Sequence, residues 1–257
     1  MGAAFVRTSL SNADLEDKQN RTSSGKVAIM QPYLFPYVGY FHLIEASDVF
    51  VFYDDVNFIK QGWINRNRIL VQGNPHTFTI PISNISSNAA IKDSQISINA
   101  RWRRKFFGTI TQAYKNSPNF DPVMELLHDV LNEDTGSISD LAIASILRVY
   151  DYLGIAKQFE KASVISPHSH GLGKEQRIAA ITKGLGFTSY VNAINGKALY
   201  SKQSFKELGI QLSFVKSKNI VYKQFEDEFV PWLSIIDVLM FNGVGEVRDI
   251  LTQYELE

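Results

Sequence analysis

The sequence predicts an α/β protein, with an N-terminal βαβ unit in a mainly parallel sheet flanked by helices, a β-hairpin and a helical insertion. Two runs carry most of that expectation. VAIM (27–30) and VFVFY (49–53) are continuous, apolar and rich in β-branched or aromatic residues, the pattern of strands covered on both faces. Between them VGYFHLIEA (38–46) has helical character. Strand, helix and strand in so short a stretch form a βαβ unit, whose crossover requires parallel strands. A third observation is negative: no repeat with a period of 20–50 residues is visible, so solenoids and propellers are excluded.

The elements follow in order. Residues 1–25 include SLSNADLEDKQNRTSSG (9–25), polar and without apolar periodicity, and are expected to be a disordered leader, with a single α/β domain over 26–257. After the first strand, Pro32 and Pro36 in QPYLFPY stop the ladder, because proline cannot donate to it. The second strand stops at Asp54-Asp55. Ile69–Val71 and Thr77–Ile82 alternate around Asn74-Pro75 and predict a hairpin. Helical patterns over 101–116, 121–132 and 137–153 form the insertion, at about 100–153. Asp121 is the expected N-cap of the second, with Pro122 following, and Ser139-Asp140 opens the apolar stripe of the third, which stops at Gly154. Further helices are expected at 173–185, 201–208 and 243–251, strands at 190–192 and 211–215, and a turn at Asn195-Gly196.

Composition narrows the function classes. Lys plus Arg and Asp plus Glu are both 26, giving zero net charge, which argues against a protein devoted to neutralising nucleic-acid phosphates. The absence of Cys removes disulfides, thiolate metal sites and a cysteine nucleophile. No apolar run approaches the roughly 20 residues of a membrane span, and the N-terminus lacks the basic-then-apolar order of a secretory signal. The expected location is the cytoplasm. Gly-x-Ser-x-Gly, the dinucleotide-binding glycine fingerprint and His-Glu-x-x-His are all missing.

The densest candidate site is Gln31–Arg68, where ten residues are aromatic. In open α/β sheets ligands bind beyond the carboxyl ends of the parallel strands. Gln31, Tyr33 and Tyr37 follow the first strand and Asp54 and Asp55 the second, so both groups are expected to face one crevice. Gly39 and Tyr40 open the first helix, where backbone N–H groups attract anions, and His42 lies one turn on. The layout is similar to that of nucleotidylyltransferase-like families, but Tyr37-Val-Gly39-Tyr40 replaces their His-x-Gly-His. In WINRNR (63–68), Arg66 and Arg68 alternate and share one face of an extended segment, with Asn65 and Asn67 opposite. Two such arginines suit a phosphate or carboxylate, with Trp63 and Lys60 beside them; pairing with Asp54 and Asp55 is the structural alternative. The basic run Arg101–Lys105 is a solvated helix face or a contact for nucleic acid, a carrier protein or a membrane surface. His168 and His170 lack a third metal ligand nearby, so no metal site is expected; either is a candidate general base, His170 also a candidate substrate contact, and Gly171 and Gly173 before a helix could receive an anion. Asp237, in the apolar run LSIIDVLMFN (233–242), needs a partner or a raised pKa.

The stretch MQPYLFPYVGYFHLIEASDVFVFYDDVNFIKQGWINRNRI, with YVNAINGKALY (190–200), FKELGIQLSF (205–214) and LSIIDVLMFNG (233–243), resembles the WbqC-like family over about residues 26–254. The resemblance implies a role encoded in bacterial surface-polysaccharide loci. There O-antigen or capsule sugars are modified, and an acyl or aminoacyl group transferred to a sugar amine is the implied reaction. The expected activity is therefore N-acylation of a nucleotide-linked amino sugar. Arg66 and Arg68 would hold the diphosphate, Tyr33 and Tyr37 would stack, and Asp55, Asp54 or His42 would take the amine proton. No permanently bound cofactor is expected; the co-substrate would be acyl-CoA, an acyl-carrier protein, an aminoacyl-tRNA or ATP. The competing expectations are an ATP-dependent ligase or nucleotidylyltransferase-like enzyme, and a non-catalytic protein that binds a glycan or partner.

Overall fold

A computed structural model describes residues 23–83, 88–133, 135–226 and 228–257. In chain order the elements are β1 (Ser23–Met30), α1 (Val38–Glu45), β2 (Val49–Phe52), β3 (Arg66–Val71), β4 (Asn74–Thr79), α2 (Ala100–Tyr114), α3 (Phe120–Asn132) and α4 (Ile138–Leu153). Then come β5 (Gln158–Lys161), α5 (Ala162–Ile165), α6 (Lys174–Gly184), β6 (Phe187–Ala193), α7 (Lys202–Glu207), β7 (Gln211–Ser217), α8 (Ile235–Phe241), α9 (Val244–Leu251) and β8 (Tyr254–Leu256). The fold class is mixed α/β, as the sequence predicts. β1 begins at Ser23, upstream of Lys26, and residues 1–22 of the expected leader lie outside the described residues.

The main sheet has six strands in the order β5-β2-β1-β6-β7-β8; all pairs are parallel except β7 with β8. Both faces are covered, which is why β1 and β2 read as unbroken apolar runs. Val27, Ile29, Val49 and Val51 pack towards α6 and α7 with Tyr190 and Phe214. Ala28, Phe50 and Phe52 pack on the other face with residues of α1, α4 and α9. That second cluster continues without a break through Ile69 and Phe78 of the hairpin and Ile110, Leu127 and Ile146 of the helical layer.

Three boundaries differ from the sequence expectation. The hairpin turns at Gln72-Gly73, both with positive φ (50° and 74°), and Asn74 and Pro75 are already paired in β4. Two such residues form the turn whose twist matches that of the flanking strands. The N-cap of α3 is Asn119, leaving Asp121 in the first turn. The N-cap of α4 is Ser137, whose hydroxyl accepts from the Asp140 N–H, and the helix ends on Gly154 in the left-handed conformation at φ 62°. β5 and β8 were not expected; both are short edge strands without a fully buried residue.

Candidate functional site

Taken in chain order, the five parallel strands stand in the spatial order third, second, first, fourth, fifth. The chain leaves β1 towards one edge and returns on its other side at β6. Neighbouring loops diverge at such a switch point and leave a crevice beyond the carboxyl ends of the strands. A cavity of about 820 Å³ opens there, floored by Ile29, Met30, Asn192 and Ala193.

The segment after β1 forms one wall, with Gln31, Tyr33, Tyr37, Gly39 and Tyr40. Its backbone lies outside the main sheet, so its polar groups find partners elsewhere: the Leu34 N–H donates to the Ile64 carbonyl (3.2 Å), the Pro36 carbonyl accepts from the Ile235 N–H (2.9 Å), and side chains satisfy others. Asn67 Nδ2 donates to the carbonyls of Leu34 (3.1 Å) and Phe35 (2.7 Å), and the Ser234 hydroxyl donates to Phe35 (2.7 Å). The Phe35 N–H donates to Ser145 Oγ at 2.9 Å. These contacts hold Phe35 at φ 40°, a strained value of the kind that persists only where surrounding contacts over-determine it. The Tyr40 hydroxyl donates to the Gln31 carbonyl (2.8 Å), and the Tyr33 and Tyr40 rings lie 5.5 Å apart. Gly39 carries no side chain because the Tyr37 ring fills the space a Cβ would take.

Opposite, the cavity is closed by Tyr53 beyond β2, Trp63, Arg68 on β3, Lys174 at the start of α6, Asn195, Gly196, Tyr200 and Trp232. Burial holds the hydroxyls of Tyr33, Tyr37, Tyr53 and Tyr200 above the usual tyrosine range, so at neutral pH they are O–H groups. Among the described residues, the charged lining groups are Arg68 and Lys174, and the lining contains no Asp, Glu or His.

Of the residues expected from sequence, Gln31, Tyr33, Tyr37, Gly39, Tyr40, Trp63 and Arg68 meet in this cavity. Arg66 does share a face with Arg68, and both guanidinium groups lie over the Trp63 ring, at 5.5 and 5.3 Å. Their roles differ, however. Arg66 donates to the carbonyls of Gly62 and Gln61 and so anchors the preceding loop. Arg68 donates from Nη2 to the Trp232 carbonyl at 3.0 Å, while its Nε is buried without a partner. Neither arginine pairs with Asp54 or Asp55.

The other expected residues point elsewhere. Asp54 accepts from the N–H and hydroxyl of Ser163, in the first turn of α5. Asp55 forms a buried ion pair with Arg177 of α6 at 2.6 Å, and Arg177 lies 4.6 Å from the Tyr53 ring centroid. His170 Nε2 meets the Asp55 carbonyl at 3.2 Å. His42 is buried against β7 and α9: Nε2 donates to the Ile250 carbonyl (2.9 Å), and Nδ1 accepts from the Ser217 hydroxyl (2.8 Å). Burial lowers its pKa, opposed by the Ile250 contact and the Glu45 charge. Asn65 donates to the Ile80 carbonyl, and Lys60 is exposed away from the lining. Asp237 is buried and accepts from Tyr114, Tyr222 and Gln224 at 2.7–2.8 Å; burial raises its pKa and the three donors oppose that shift. Its partners are hydroxyls and an amide, not an arginine.

The sequence reading missed Tyr53, Lys174, Asn192, Tyr200 and Trp232 as wall residues. Four of them carried a signal, since Tyr53 and Asn192 end predicted strands and Lys174 and Tyr200 sit at predicted helix starts. Trp232 carried none. Among the described residues no cluster of three or more His, Cys, Asp or Glu side chains could hold a metal ion, and no helix is long and apolar enough to cross a membrane.

An uncharacterized protein of Mycobacterium tuberculosis, Rv1507c, is 28% identical over 229 residues, spanning 88% of this chain and 97% of that protein. No solved structure matches the chain. The model of the WbqC-like protein family matches residues 31–249, so the chain belongs to that family.

Proposed function

We propose that the cavity binds a nucleotide-linked amino sugar and that the protein transfers an acyl or aminoacyl group to its amine, in surface-polysaccharide biosynthesis. The observation that carries this reading is Arg68, a cation in an aromatic-walled cavity at the sheet's switch point, with a buried Nε–H that has no acceptor. Leaving such a donor unpaired costs about 1–3 kcal/mol or more for a charged group, and an anionic ligand oxygen relieves that cost. The tyrosines supply apolar faces for a ring and hydroxyls for polar substituents.

The same lining suits acylation of an amine. Only an unprotonated amine attacks, and the two cations with no lining carboxylate disfavour an ammonium ion. The amine lone pair forms the new bond to the donor carbonyl carbon. The carbonyl oxygen carries the charge of the tetrahedral intermediate, and the protonated tyrosine hydroxyls are the donors available to it. The thiolate or alkoxide of the donor leaves and takes up the amine proton, so no general base from the wall is required. Asp54, Asp55 and His42 act in this scheme as supports of the wall.

A specific observation favours a second reading, the non-catalytic one: among the described residues the cavity lining holds no Asp, Glu or His. One experiment separates the two. Wild type and Arg68→Ala are screened by thermal shift with nucleotide-linked amino sugars, then incubated with acyl-CoA, acyl-carrier protein and aminoacyl-tRNA donors and followed by mass spectrometry. A ligand at 100 times its Kd adds about 2.7 kcal/mol. A midpoint shift that Arg68→Ala loses, with an acyl mass gain on the sugar, supports the transferase. A shift without mass gain from any donor leaves the binding protein.

A further inference from the structure

Two of the chain's three tryptophans, Trp63 and Trp232, line the cavity while 40% and 65% exposed. They therefore stand at its mouth. A single exposed aromatic is ordinary, whereas two on separate loops flanking one opening mark a binding surface. Both loops hold a non-glycine residue in the left-handed region: Gln61 at φ 62°, and Trp232 itself at φ 62°. A bulky residue there is a backbone outlier, and such strain collects at ligand clamps. Arg68 joins the two sides, its guanidinium 5.3 Å from the Trp63 ring centroid and bonded to the Trp232 carbonyl at 3.0 Å. The Tyr37 ring extends the aromatic surface inward, 5.9 Å from Trp232. The Arg68 Nε–H is buried and unpartnered.

At the mouth the indoles offer flat π faces, Arg68 and the exposed Lys174 offer cationic donors, and the exposed Asn195 offers an amide. A planar base joined to a phosphate fits: it stacks, and its oxygens accept.

We infer that Trp63, Trp232 and Arg68 form a nucleoside diphosphate subsite, with the base stacked at the mouth and a phosphate oxygen accepting from Arg68 Nε–H. The inference rests on the reading of the cavity as a nucleotide-sugar site and names the part of the ligand held at the opening. The same group occurs in a nucleotide-linked sugar and in a nucleotide-bearing donor such as coenzyme A, so the test carries both.

Tryptophan fluorescence reads the subsite directly, because Trp102, held by the Thr79 carbonyl and the Phe106 ring on α2, lies outside the cavity and serves as an internal reference. The full chain is titrated with UDP, dTDP, GDP, ADP, coenzyme A and inorganic pyrophosphate. A nucleoside diphosphate is expected to quench the emission. Trp63→Ala and Trp232→Ala are expected to weaken its binding roughly tenfold to a hundredfold, the usual loss on removing a stacking ring, while leaving the weaker pyrophosphate binding unchanged. Trp232→Phe keeps a stacking ring and should retain most of the affinity, which guards against a folding defect in the alanine variant. Binding of ADP and coenzyme A alone supports the subsite and assigns it to the donor; binding of the other nucleotides assigns it to the sugar. If both alanine variants bind nucleoside diphosphates as wild type does, the subsite is refuted, while a thermal shift by the nucleotide-linked amino sugar would still uphold the cavity reading. If neither nucleotides nor nucleotide sugars bind, both fail.

Discussion

His42 shows how a residue that suggests catalysis is put to a structural use. Its ring is buried with both nitrogens bonded, and the Ile250 carbonyl can only accept, so the neutral tautomer with hydrogen on Nε2 is the one the fold holds. Burial depresses its folded-state pKa below the usual 6.5. As pH falls through that value, the unfolded chain takes up a proton that the folded ring resists. The unfolded state then binds more protons, and stability declines, by at most about 1.4 kcal/mol per pH unit. Urea unfolding of wild type and His42→Gln between pH 7.5 and 5.5 tests this. The wild type should lose stability below pH 6.5, and the variant should start lower but run flatter; parallel curves would refute the assignment. Asp54 and Asp55 carry a related lesson. Their position beyond β2 was legible, since an apolar run ending in two carboxylates marks the end of a buried strand. Their orientation was not, because it is set by Ser163 and Arg177, more than a hundred residues away. Arg66 and Arg68 were legible as a pair on one face, but which keeps a free donor depends on the carbonyls of Gln61, Gly62 and Trp232.

At the scale of elements, β1, α1 and β2 could be read because burial on both faces writes a continuous apolar run. Edge strands leave no such record: β5, QFEK, is half exposed and owes its place to pairing with β2. The β3–β4 hairpin is legible as alternation, but the sequence pattern points to a turn at Asn74-Pro75, whereas Gln72-Gly73 supplies the two positive φ values. Glutamine is a poor occupant of the left-handed region, and asparagine a favoured one. Gln72 is exposed, and the structure uses only its backbone carbonyl, which accepts from Asn74 Nδ2. Gln72→Asn should therefore raise stability, by roughly 0.5–1 kcal/mol against the ~1–2 kcal/mol that the conformation costs an ordinary side chain. Chemical denaturation checks it. An unchanged midpoint would mean that the turn is not held in this geometry in solution.

For the molecule as a whole, the cavity walls come from distant stretches of chain: the segment after β1, the hairpin, α6, the β6–α7 connection and Trp232. The sequence could place the first two but not the rest, because β1 and β6 become neighbours only through a crossover of more than 150 residues. The second core cluster binds the same parts together, running from Phe50 in the sheet through Phe78 in the hairpin to Ile110, Leu127 and Ile146 in the helical layer. A helical layer that shares its apolar side chains with the sheet has no separate core to unfold around. Calorimetry should therefore show one transition, with calorimetric and van't Hoff enthalpies in agreement. A saturating ligand in the cavity should move that transition as a unit. The ~2.7 kcal/mol gained at 100 times Kd corresponds to roughly 5–10 °C for a chain of this size. Far-ultraviolet dichroism and tryptophan emission should move together, since Trp63 and Trp232 report the cavity and Trp102 the helical layer. Two transitions, only one of them ligand-sensitive, would show that the helices fold apart from the sheet and that the shared core is weaker than its continuity implies.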